Sequence, residues 1–108
     1  MAAGLLASLT FTPGSDGQCN ALAVFEAEAT GSDWGANVKI DLRQTQSGTT
    51  TTLETVQPGA SRARYAMQSL QFAVSAGVSV TVDLYMTVSG ASAGTAYNLR
   101  LHAEVIKR

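Results

Sequence analysis

The 108 residues carry seven basic and eight acidic side chains, 14% of the chain against roughly 25% in an average soluble protein, with a net charge of −1. That length fits a single domain (1–108), and the balance provides no electrostatic footprint for nucleic acid or an anionic membrane. One His and one Cys leave little for catalysis or metal binding, so a non-enzymatic protein without cofactor or metal is predicted.

The first residues, Met1 to Leu9, are apolar but lack a basic leader segment, and Thr10, Thr12 and Pro13 end the run early. They predict neither a signal peptide nor a membrane span. Residues 5–12 read as a first strand or an N-terminal arm, with Leu5, Leu6 and Leu9 as candidate contact residues. Residues 20–29 form an unusual strand, with Ala21, Ala23, Phe25, Ala27 and Ala29 on one side and Leu22, Val24, Glu26 and Glu28 on the other. It can be a central strand covered on both faces. In the alternative reading, Ala21, Ala23, Phe25 and Ala27 pack on a neighbouring subunit, where small residues permit close approach. Trp34, between glycines in a polar loop, reads as a cap on the core, a subunit contact or a sugar-stacking platform.

Val38, Ile40 and Leu42 alternate with charged residues, and 49–56 is rich in β-branched Thr. Ser47-Gly48 marks a hairpin between them. A two-residue loop would set Asp41 against Glu54, so the like-charge rule predicts a four-residue loop, 47–50, with Arg43 facing Glu54. In 61–74 a helix would gather Ala63, Ala66, Met67, Leu70 and Val74. The alternation of Leu70, Phe72 and Val74 favours a strand over about 69–75, with 62–68 as a strand or one helical turn. The clearest strands are 78–88, with Val78, Val80, Val82, Leu84 and Met86 on one face, and 97–105, with Tyr97, Leu99 and Leu101 on one face. Seven or eight strands with Gly-rich turns predict an all-β fold, a single antiparallel β-sandwich, with the jelly roll as one arrangement of it.

Chemistry-bearing residues are few. Glu26 and Glu28 share a strand face roughly 7 Å apart, a spacing seen in glycosidases, but solvated carboxylates explain them without a cleft. If 78–88 and 97–105 form a hairpin with Met86 facing Leu99, then Asp83 faces His102 and Tyr85 faces Arg100. No Ser in a nucleophile elbow completes a triad with them. Cys19 reads as a structural thiol, with an intermolecular disulfide as the lesser option. Asp16 and Asp33 sit in Gly-Ser-Asp loops, where Asx-type turns account for them without calcium.

The run from Leu70 through Val-Ser-Ala-Gly-Val-Ser-Val-Thr-Val-Asp-Leu, and the later Ser-Gly-Ala-Ser-Ala-Gly-Thr-Ala-Tyr-Asn-Leu-Arg-Leu, resembles the phrasing of small β-sandwich proteins of tailed-phage virions. The likeness covers about residues 70–106 and involves decoration proteins, head fibres and tail modules. It implies a non-enzymatic virion component, made in a host cytoplasm, that forms homo-oligomers (commonly trimers) and docks on capsid or tail proteins. The alternatives are a cytoplasmic location and a carbohydrate- or receptor-binding module using Trp34.

Overall fold

The chain forms eight strands, and those in which apolar and polar residues clearly alternate bury the face that the pattern assigns to them, apart from local irregularities. The computed structural model describes residues 3–31, 37–90 and 92–107. The strands are β1 (Gly4–Phe11), β2 (Gly17–Thr30), β3 (Val38–Gln46), β4 (Thr49–Val56), β5 (Ala63–Gln68), β6 (Phe72–Val74), β7 (Val80–Val88) and β8 (Ala93–Lys107). They form two antiparallel sheets packed as a sandwich. The first has the order β1-β7-β3-β4; in the second, β2 lies between β8 on one side and β5 and β6 on the other. No helix forms over 61–74, and the two strands there lie end to end along one edge of β2.

The core explains the unusual composition of β2. Its inner face carries Ala21, Ala23, Ala27 and Ala29 around a single Phe25, and all five are buried within this chain. The opposing sheet supplies large aliphatics: Val38, Ile40 and Leu42 from β3, and Val80, Val82, Leu84 and Met86 from β7. Small residues on one layer accept long side chains from the other, which is how a thin core reaches native density. The subunit contact expected at Ala21, Ala23, Phe25 and Ala27 is therefore corrected. These side chains are covered by the protein's own first sheet and are closed to another subunit.

Gly94 extends the same complementarity into β8. A Cβ there would lie 2.7 Å from the Met86 sulfur and 2.9 Å from Val38 Cγ1. Phe25 stacks on Tyr65 with ring centroids 5.7 Å apart, and the Tyr65 hydroxyl accepts a hydrogen bond from the Gly59 amide at 3.2 Å. Ser69 bridges the break between β5 and β6. Its amide donates to the Ala21 carbonyl, and its hydroxyl accepts from the Ala21 amide at 2.8 Å. Both backbone groups of Ala21 are thus satisfied where neither β5 nor β6 reaches.

The β3–β4 hairpin closes through two residues, not four. Gln46 faces Thr49, and Ser47 and Gly48 both take positive φ, 50° and 79°, as the tight primed turn requires. The like-charge conflict is relieved by a bulge. The register shifts between Leu42 and Arg43, so Leu42 faces Glu54 and Asp41 faces Thr55. The Thr55 hydroxyl donates to the Asp41 carboxylate at 2.7 Å. Arg43 turns to β7 instead, donating to Asp83 at 2.8 Å and lying over the Tyr85 ring at 4.3 Å.

Of residues 5–12, all but Thr12 belong to a first strand paired with β7, not to a free arm. A register shift between Leu5 and Ala7 buries Leu6 and leaves Leu5 53% exposed, while Leu9 is half-buried opposite Val82. Of the three contact candidates in this segment, Leu6 is consumed by the core.

Replacing Phe25 by Ala removes the one large side chain on the alanine face. Chemical denaturation is expected to show a loss of about 3–5 kcal/mol, with the β-sheet circular dichroism of the native state retained.

Candidate functional site on the outer face of the β2 sheet

Because its inner face is committed to the core, β2 turns Leu22, Val24, Glu26 and Glu28 outward. Cross-strand pairing fixes their neighbours. On the β5 side, Gln68 faces Leu22, Ala66 faces Val24 and Arg64 faces Glu26. On the β8 side, His102 faces Leu22 and Arg100 faces Val24. The register then shifts, and the next pair is Glu26 with Tyr97, so Asn98 and Leu99 together oppose Phe25. This is a bulge with Asn98 at φ 53°, a left-handed conformation that Asn tolerates better than most residues. One consequence is that Tyr97 lies on the outer face, where simple alternation with Leu99 and Leu101 predicted the inner one.

The bulge organises a polar cluster. Asn98 donates to one Glu26 oxygen at 2.8 Å, and Arg62 donates to the other at 2.9 Å. The Arg62 guanidinium lies 3.7 Å from the centroid of the Tyr97 ring, and the Tyr97 hydroxyl donates to Glu28 at 2.7 Å. The Asn98 hydrogen bond, and after it the bond and charge of Arg62, hold the Glu26 carboxyl below its ordinary range. The bond to Glu28 pushes the Tyr97 phenol up. Glu26 and Glu28 are thus brought together as the sequence expected, but each is engaged by a neighbour. An ionised, hydrogen-bonded Glu26 is poised as an acceptor rather than as a general acid.

Beside this cluster the surface dips into a groove of about 430 Å³, with Val24 and Leu99 in its lining and Glu26, Arg64, Asn98 and Arg100 around them. The other end of the sheet carries four of the five exposed large hydrophobics among the described residues: Leu22 and Ile106 on the outer face, Leu70, 87% exposed, at the break between β5 and β6, and Val105 on the inner side opposite Cys19.

The remaining sequence candidates are dispersed. Asp83 lies in the first sheet and His102 in the second, since β7 and β8 do not pair, so the expected Asp83–His102 and Tyr85–Arg100 pairs do not form. Arg43 is the residue that meets both Asp83 and Tyr85. Cys19 is fully buried and burial pushes its thiol up, opposing the thiolate that reactivity needs. Asp16 accepts a hydrogen bond from the Ala76 amide at 2.9 Å and so pins the β6–β7 turn. Trp34 and Asp33 lie outside the described residues. Among those described, no three of His, Cys, Asp and Glu gather in a way that could hold a metal ion.

Sequence reasoning missed Arg62, Arg64, Tyr97, Asn98 and Arg100 as one constellation. The one local signal was a basic pair, Arg62 and Arg64, two residues apart and so on the same side of a strand.

The ionised Glu26 contributes stability that is present above its ordinary value of 4.5 and is lost as pH falls through its lower native value. Glu26→Gln is therefore expected to destabilise the protein at pH 7, with its difference from the parent shrinking progressively as pH falls below 4.5, as read by denaturation over that range.

The chain matches no family model, and no curated protein is similar to it in sequence.

Proposed function

We propose that this protein is a non-enzymatic structural module that works by homo-oligomeric assembly and by docking on a larger particle. The observation that carries the reading is the clustering of exposed apolar side chains on one half of the β2 sheet. Leu22 on β2 and Ile106 on β8 face outward and Leu70 lies between β5 and β6, all within the stretch where Gln18–Leu22 faces His102–Ile106, while Val105, paired with Cys19, is exposed at the same end on the inner side. Across those two strand segments Glu104 is the only Asp, Glu, Lys or Arg. Interface cores are depleted in charge, and a patch of this kind on a small domain marks contact. A second copy of the chain is the occupant this face suits, because a two-fold or higher rotation brings like apolar patches together without opposing many charges.

The likeness of residues 70–106 to sandwich modules of tailed-phage virions makes that particle a capsid, head fibre or tail, and favours a trimer. Repetition over many copies lets a modest contact per subunit hold a lattice.

Light scattering coupled to size exclusion tests the reading. The protein is expected to run as an oligomer, and Leu70→Glu, alone or with Leu22→Glu, is expected to shift it to the monomer while preserving the β-sheet spectrum. A parent protein that stays monomeric at every concentration overturns the proposal.

A further inference from the structure

The polar half of the same face carries a second, independent site. Arg64 and Arg100 approach the groove from strands on opposite sides of β2, and neither forms an ion pair among the described residues. The nearest carboxylate, Glu26, is already occupied, one oxygen by Arg62 and the other by Asn98. Two guanidiniums thus flank a concavity whose one carboxylate, Glu26, is hydrogen-bonded to Arg62 and Asn98 and feels Arg64 only through its charge. The volume of about 430 Å³ lies within the roughly 300–1,000 Å³ of small-molecule sites.

The lining restricts the ligand further. Val24 offers apolar contact, Asn98 offers an amide, and Glu26 can accept an additional hydroxyl hydrogen bond through its remaining lone pairs. A ligand matching these groups has a carboxylate for the arginines, hydroxyls for Asn98 and Glu26, and an aliphatic C–H face for the floor. We propose that the groove binds an acidic saccharide, of the uronic acid class, with Arg64 and Arg100 holding its carboxylate. The bulge at Asn98 is what makes the site. Unbroken alternation would set Asn98 opposite Glu26 and send Tyr97 inward, whereas the extra residue in β8 brings Tyr97 and Asn98 together on the outer face beside the groove.

The site does not rest on the assembly reading, because its residues lie at Val24 and beyond while the apolar patch lies at Leu22 and before. Leu70→Glu, if it dissociates an oligomer, is expected to leave saccharide binding in place.

The test is an amide-resolved NMR titration of the full chain with sodium glucuronate, with glucose and inorganic phosphate as comparison arms. Glucuronate is expected to give saturable shifts at Val24, Asn98 and Arg100. Glucose and phosphate are expected to bind at least about tenfold more weakly, each lacking half of the complementarity. Arg64→Gln and Arg100→Gln should each weaken glucuronate about tenfold, whereas Lys39→Gln on the other sheet should leave it unchanged. Absent or unsaturable shifts overturn the proposal. So does phosphate matching glucuronate, which would mark a general anion response, or glucose matching it, which would remove the role of the carboxylate. Retention of affinity in both arginine variants overturns it equally.

Discussion

The interdigitation of an alanine-faced strand with an aliphatic sheet is the constraint on which the rest of the molecule depends. Only because β2 presents Ala21, Ala23, Ala27 and Ala29 can Ile40, Leu42, Leu84 and Met86 reach across and fill the interior. The chain has few large apolar residues, and this arrangement concentrates them on one layer. It also settles the outer face. With every second residue of β2 committed inward, Leu22, Val24, Glu26 and Glu28 have no alternative but to face outward, together with whatever β5 and β8 place beside them.

Three irregularities in register then shape the surface. The shift between Leu5 and Ala7 buries Leu6 and exposes Leu5. The shift beside Leu42 separates Asp41 from Glu54 and allows the tight turn at Ser47-Gly48. The shift between Val24 and Glu26 swings Tyr97 outward to Glu28, beside the Asn98 that bonds Glu26. Each involves one residue in excess of strict pairing, and each alters which side chains meet. A strand that slips by one position exchanges its faces, so these small insertions do more to the surface chemistry than most substitutions could.

The same distinction explains what could be read in advance. Period-two patterns in 38–43 and 78–88 reveal strands with their buried sides, because alternation is a local property of the chain. A count of seven or eight strands and the antiparallel sandwich follow from it. Partner choice is not local. The assignment of β7 and β8 to different sheets separates Asp83 from His102 and gives Asp83 to Arg43, forty positions earlier. The charge conflict at the hairpin was legible, whereas its relief by a bulge was not, since a bulge leaves no mark in the hydrophobic pattern. The cluster of Arg62, Tyr97 and Asn98 around Glu26 was hidden for both reasons: it joins distant segments and hinges on an extra residue. For the alanine stripe, the pattern was legible but its partner was ambiguous, as the same small side chains suit a neighbouring subunit or the opposite sheet.

The pairing of β2 with β8 bears on how the molecule comes together. The contact nearest in sequence joins Thr30 to Ala93, and the furthest joins Gly17 to Lys107. The central strand of the sheet therefore acquires its most extensive ladder from a segment that emerges from the ribosome long after it. Until then β2 has one long edge uncovered, and closing so large a loop is slow relative to forming the β3–β4 hairpin. The nascent chain thus passes through an interval in which its most adhesive strand is open, and the order of synthesis, as much as the final packing, determines what that strand meets first.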